Sequence, residues 1–103
     1  MNDETPLFGL RVSAEGGWWT VHLIGQLDLA QAPMVLDVAD AVRQCQLAGV
    51  DLDLRGVTFI DSAGYRAVLD AATIIKSGGA QVRILDESSA VHRLVALWEL
   101  VAA

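Results

Sequence analysis

The sequence predicts an α/β domain: a mostly parallel four-stranded sheet with an antiparallel edge hairpin and helices, in the order β-β-α-β-α-β-α. Three observations carry this. Short alternating apolar runs trade places with longer stripes at helical spacing. Glycines stand at the joints between them. The first two strand runs are separated only by a Glu15-Gly16-Gly17 turn signal, so they can pair as a hairpin, whereas each later strand follows a helix and pairs in parallel through a right-handed crossover.

Each element has its own signal. Residues 8–12 form a short first strand. In residues 18–27, Trp19, Val21 and Leu23 alternate with Thr20, His22 and Ile24, a strand with one well-buried face. Pro33 suits a first helical turn, where its missing N–H is not needed. Val35, Val38, Ala39, Val42 and Cys45 then form one apolar stripe, and the helix is expected to stop near Ala48-Gly49. Residues 50–54 read as the third strand. Tyr65, Val68, Leu69, Ala72 and Ile75 give the stripe of a helix over 62–77, which Gly78-Gly79 ends. Residues 81–85 are the last strand. Residues 86–89 offer a cap for a third helix, with Val91, Leu94, Val95 and Trp98 on its apolar face.

At 103 residues, 1–103 is expected to be one domain, with 1–6 a flexible N-terminus. Hydrophobic residues make up 53% and charged residues 19%, enough apolar surface for a core. The formal net charge of −6 disfavours nucleic acid and anionic lipid as partners, since both repel an acidic surface. The single cysteine, Cys45, cannot form an internal disulfide and is expected in the core. The acidic start, Asn2-Asp3-Glu4, is unlike a secretory signal, and no apolar run reaches the ~18–20 residues of a membrane span. A cytoplasmic protein with no membrane span is the expectation.

In open parallel sheets, binding sites gather where strands end and helices begin. Three such junctions occur, at residues 28–33, 57–64 and 86–89. The most informative stretch is Asp53-Leu54-Arg55-Gly56-Val57-Thr58-Phe59-Ile60-Asp61-Ser62-Ala63-Gly64. Here a strand is expected to end, a short loop to carry Phe59 and Ile60 inward, and Asp61-Ser62 to open a helix. On spacing alone, Asp61 or Ser62 is an N-cap worth ~1 kcal/mol. Gly64 in the first turn is expected to leave the backbone open to close approach by another molecule. No catalytic constellation is evident. His22 and His92 read as ordinary, partly exposed histidines, no group has metal spacing, and there is no phosphate-binding glycine loop or nucleophile elbow. The chain is therefore expected to be no enzyme and to carry no cofactor and no metal. Of the adjacent Trp18 and Trp19, one is expected in the core; the other is exposed or covers the sheet edge or a partner. Trp98 is expected in the core.

Asp53-Leu54 followed by Phe59-Ile60-Asp61-Ser62-Ala63-Gly64 resembles the signature of the STAS domain of bacterial anti-sigma factor antagonists. Gly25-Gln26-Leu27-Asp28 resembles the family's Gly-Glu-Leu-Asp element, with Gln26 in place of Glu. Gly79-Ala80-Gln81-Val82 resembles the glycine before its last strand, and Val91-His92-Arg93-Leu94 the apolar-x-Arg-apolar run of its last helix. The likeness runs from about Leu7 to Leu100. Tyr65 stands where the family usually has Leu, and Trp98-Glu99-Leu100 where many members have Gly-Leu.

The resemblance implies a single STAS-like domain acting in partner switching. The unphosphorylated antagonist binds an anti-sigma factor that is also a serine kinase and so frees a sigma factor. Phosphorylation of the serine after the aspartate, here Ser62, switches binding off, and a phosphatase restores it. The implied partner-binding residues are Asp28, Asp61, Ser62, Ala63, Gly64, Tyr65 and Arg66, with 28–31 and Leu69 on the same surface, in a monomer or weak dimer. The alternative is a constitutive interaction subunit of a lipid ABC transporter or a signalling scaffold, without a phosphate cycle. A small nucleotide-binding module is disfavoured by the acidic charge and the missing glycine-rich loop.

Overall fold

The computed structural model describes residues 8–86 and 88–102, so the expected flexible stretch 1–6 and the capping position Glu87 lie outside the described residues. The side chain of Trp98, expected in the core, also lies outside them. The elements follow the predicted order: β1 (Phe8–Glu15), β2 (Trp18–Leu27), α1 (Ala32–Arg43), β3 (Gly49–Ile60), α2 (Ser62–Lys76), β4 (Gln81–Leu85) and α3 (Ser89–Ala102). They build one four-stranded sheet in the order β1-β2-β3-β4. β1 and β2 are antiparallel, and β2–β3 and β3–β4 are parallel.

Both α1 and α2 lie on one face of the sheet. There Val21, Leu23 and Leu52 meet Ala39 and Val42 of α1 and Val68 and Ile75 of α2. In β3 the alternation is clean at first: Val50, Leu52 and Leu54 face the helices and are almost fully buried. Their neighbours Asp51 and Asp53 point to the opposite face, which α1 and α2 do not cover, yet both are also buried. Ion pairs explain this. Arg83 forks onto Asp51, with Nε at 2.7 Å and Nη2 at 3.0 Å, and Arg55 binds both oxygens of Asp53. On the same face Trp18 lies over Gly49, its register partner on β3, so closely that a Cβ at Gly49 would fall 2.2 Å from the ring. The Arg83 guanidinium stacks over the same ring, 4.5 Å from its centroid. Trp19 packs against the core, so the two tryptophans divide between the faces as expected.

Three expectations need correction. The third strand does not end at Leu54 but runs to Ile60, and Phe59 is not carried inward: it is 49% exposed while Ile60 is buried. The register shows why the sequence hides this. His22 pairs with Asp53 but Ile24 with Gly56, and Gly25 pairs with Val57 but Gln26 with Phe59, so β3 carries two extra residues against β2. Each such bulge changes which side of the sheet the following residues face and breaks the alternation. Second, α1 ends at Arg43, about a turn early, and Gln46 takes a φ of 56°. Cys45 is therefore exposed rather than core, its Sγ donating to the Ala41 carbonyl oxygen at 3.4 Å, while Leu47 packs against the core instead. Third, β1 continues past residue 12 to Glu15, paired with β2 throughout.

Candidate functional site

The parallel pair β2–β3 ends on Leu27 and Ile60, which are register partners. The next residues are Asp28 and Asp61, so the sheet itself brings these two junctions side by side. The junction at 86–89 is not level with them: β4 ends at Leu85, opposite Asp53, well short of Ile60. There α3 starts under a Ser88 cap, whose Oγ accepts from Val91 N–H at 3.2 Å, and it lies against the stretch of β3 that β4 leaves uncovered.

Asp61 is the N-cap of α2. Its backbone is extended, and its Oδ1 accepts from Gly64 N–H at 2.7 Å. Its carbonyl accepts from Tyr65 N–H at 3.0 Å, and its own N–H donates to the Leu27 carbonyl at 3.3 Å. The cap thus also ties the start of α2 to the end of β2. This leaves Ser62, the first helical residue, exposed, and among the described residues its hydroxyl makes no hydrogen bond.

Gly64 has a different role from the one expected. It is buried, and a Cβ there would stand 2.2 Å from the Leu27 carbonyl oxygen. The missing side chain admits the end of β2, not a visiting molecule, and Gly64 offers no surface to a partner.

Asp28 shapes its own loop. Its Oδ1 accepts from Ala30 N–H at 3.0 Å, its N–H donates to Gln31 Oε1 at 3.1 Å, and its carbonyl accepts from Gln31 N–H at 3.1 Å. The tight turn pushes Leu29 outward, to 70% exposure. Of the remaining candidates, Ala63 is half-buried, Tyr65 is half-buried against the core, and Arg66 is exposed, reaching Asp70 Oδ1 at 3.3 Å. Leu69 is half-buried further along the helix.

The same end carries two apolar side chains, Phe59, expected to point inward, and Met34, which the sequence did not single out, each about half exposed. Phe59 was hidden by the bulges of β3. Met34 sits in the first turn of α1, next to Pro33, off the buried stripe of that helix, a signal legible only once the stripe is fixed. Exposed Leu29, Met34 and Phe59 beside a hydroxyl and two carboxylates make an amphipathic patch of the kind protein interfaces use. Among the described residues no cluster of His, Cys, Asp or Glu could hold a metal ion, and no helix is long and apolar enough to cross a membrane.

His22 is partly exposed, as expected, but has partners that the sequence did not signal. Its Nδ1 donates to Asp53 Oδ2 at 2.8 Å while its Nε2 lies 3.1 Å from Ser13 Oγ. Hydrogen bonds from Arg55 hold the Asp53 carboxyl far below the usual carboxylate range, against the opposing effect of burial. His92 is exposed, as expected.

Comparison with known proteins agrees with this architecture. Residues 11–102 match the STAS domain. An anti-sigma F factor antagonist of Paenibacillus polymyxa is 30% identical over 76 residues, spanning 73% of this chain and 65% of that protein, just under two thirds of its length. The crystal structure of an anti-sigma factor antagonist from Mycobacterium paratuberculosis superposes with a TM-score of 0.76 at 20% identity, over 92% of this chain and 80% of that one. An antisigma-factor antagonist STAS domain from Rhodobacter sphaeroides superposes at 0.67 with 25% identity, over 82% and 95% of the two chains. With the family match covering nearly all of its length, the chain belongs to the STAS domain family.

Proposed function

We propose that this protein is an anti-sigma factor antagonist whose binding is switched by phosphorylation of Ser62. In its unphosphorylated form it binds an anti-sigma factor with serine kinase activity, in the cytoplasm, and so releases a sigma factor. The observation that carries the reading is the exposed Ser62 hydroxyl, first in α2 and held beside the capping Asp61. The relatives named above support the class of partner.

The physics of the switch follows from the helix start. A phosphate brings about −1.5 to −2 charge units and three acceptor oxygens. On Ser62 it meets the first-turn amides that Asp61 does not occupy, at the positive end of the helix dipole, which favours an anion by ~0.3–1 kcal/mol. The fold therefore tolerates the modification. The patch around it does not stay adhesive: a dianion beside Asp61 and Asp28, next to exposed Leu29 and Phe59, must be desolvated before any partner can dock. Asp28, Asp61, Ser62, Ala63, Tyr65 and Arg66 form the proposed contact surface, with a phosphatase restoring it.

The test is incubation with ATP and the serine-kinase anti-sigma factor encoded nearest the gene. One phosphate should appear, it should map to Ser62, and it should be absent from Ser62→Ala. Ser62→Asp should melt within a few degrees of wild type while losing the complex. Phosphate at another residue would overturn the reading. So would stable binding of Ser62→Asp to the same partner, which would favour a constitutive interaction subunit instead.

A further inference from the structure

We propose that Ser13 is a nucleophile activated by His22 and Asp53, on the sheet face away from α1 and α2, and that it accepts acyl groups from small activated esters. The three side chains come from three adjacent strands. Thr20 on β2 stands directly opposite Ser13, so His22 reaches the serine diagonally, and Asp53 of β3 is in register with His22. Ser13 Oγ lies 3.1 Å from His22 Nε2, and His22 Nδ1 lies 2.8 Å from Asp53 Oδ2. A nucleophile within hydrogen-bond reach of a base, which a third group orients, is the arrangement that activates serine on unrelated folds.

The proton positions follow from the partners. The Asp53 carboxylate is ionised and can only accept, so Nδ1 carries the hydrogen. In the neutral ring Nε2 then has a free lone pair, and it is the Ser13 hydroxyl that donates. Asp53 is itself fixed: Oδ1 accepts from the backbone N–H and Nε of Arg55, and Oδ2 from Nη2 at 3.0 Å. Asp53 is buried, so the imidazole is held from a rigid side of the site, whereas Ser13 is exposed and open to a reagent. Beside Ser13 lies an open recess of about 470 Å³, walled by Glu15, Trp18, Thr20, Asp51 and Arg83, with room for a small ester.

The step balances as an acyl transfer. Ser13 Oγ attacks the ester carbonyl carbon as its proton passes to His22 Nε2. The imidazolium so formed is stabilised by Asp53. The tetrahedral adduct then collapses, the bond from carbon to the leaving oxygen breaks, the alcohol or phenolate departs, and Ser13 is left as an ester. The imidazolium gives its proton to the departing alkoxide, which leaves as the alcohol; where a phenolate leaves, the proton goes to solvent instead.

The experiment uses the full chain and p-nitrophenyl acetate, following nitrophenolate release and locating the acetyl group by peptide mass spectrometry. Acetylation should map to Ser13 and be absent from Ser13→Ala, whose exposed site leaves the fold intact. His22→Gln should slow Ser13 acetylation by about 100-fold, within the range of a general base. Acetylation of Ser13 at the wild-type rate in His22→Gln would overturn the proposal, as would acetyl found only on other residues. Should His22→Gln fail to fold, Ser13→Cys decides the matter in a chain that keeps His22. Its thiol should alkylate with iodoacetamide about tenfold faster than the exposed Cys45 of the same chain, which serves as internal reference. Equal rates would refute the activation.

Discussion

Replacing Gly64 by alanine tests whether the start of α2 is fitted to the end of β2. In an exposed helix this change would stabilise by about 1 kcal/mol, because glycine gives up more backbone freedom than alanine. Here the new Cβ would lie 2.2 Å from the Leu27 carbonyl oxygen and 2.9 Å from its carbon, where ordinary contact begins at 3.4 Å. Leu27 is fully buried and its backbone is held in the sheet, so no flexible side chain can yield. The first turn of α2 must retreat by roughly 1.2 Å. The bond from Asp61 N–H to that same carbonyl is already 3.3 Å long and does not survive the retreat. Overpacking of this kind costs about 1–3 kcal/mol, and the lost backbone bond about 0.5–1.5 kcal/mol more. After the helix gain, a net loss of about 1–3 kcal/mol remains. Thermal denaturation followed by circular dichroism should show Tm lower by roughly 5–20 °C, at about 4–8 °C per kcal/mol for a domain of this size. Gly9→Ala is the matched control, since nothing lies within 4 Å of its added Cβ; it should stay within about 0.5 kcal/mol of wild type. A Gly64→Ala protein as stable as wild type, or more so, would show that the contact with Leu27 is loose and that the glycine serves some other purpose.

Two further outcomes follow from the same geometry. Asp61→Ala removes the acceptor for Gly64 N–H and should lower stability by about 1 kcal/mol in urea denaturation, while Asp61→Asn, which keeps a capping oxygen, should lose less. The carboxyls of Asp53 and Asp51 are depressed in the folded state, by Arg55 and Arg83 respectively, so they bind protons more weakly there than in the unfolded chain. Their contribution is complete above the unfolded value of about 4 and is lost as pH falls below it. Urea midpoints should therefore be nearly flat from about pH 7 to 5 and fall below about pH 4, with a shallower fall in Asp53→Asn; equal slopes would remove Asp53 from the acid response.

Much of this architecture was legible in the sequence because the signals were redundant. β2 was bounded by glycine at one end and by its own buried alternation, and its limits match the structure. The helix over 62–76 was announced by a capping aspartate and closed by two glycines. The sequence reading failed where a local rule was interrupted without being cancelled. Arg55-Gly56 looks like the end of a strand, but pairing with β2 carries the chain on through two bulges to Ile60. Cys45 continues the helical stripe in spacing, but the helix unwinds before reaching it. In the site, sequence could place Asp28 at a strand end and Asp61 at a helix start, and only the pairing of Leu27 with Ile60 made them neighbours. The burial of Gly64 could not be read, because glycine signals a close approach without saying from which side. Nor could the contacts of His22, since its partners are 9 and 31 residues away and meet it only through strand register.

The strand order has a lasting consequence. Because β2, β3 and β4 follow one another in space as in sequence, successive crossovers of one hand stack α1 and α2 on the same side. The two sides can then drift apart in evolution. Substitutions among the ion pairs and the tryptophan stack on the side that α1 and α2 leave open need not disturb the helix start that carries Ser62, so the two faces can change independently of each other.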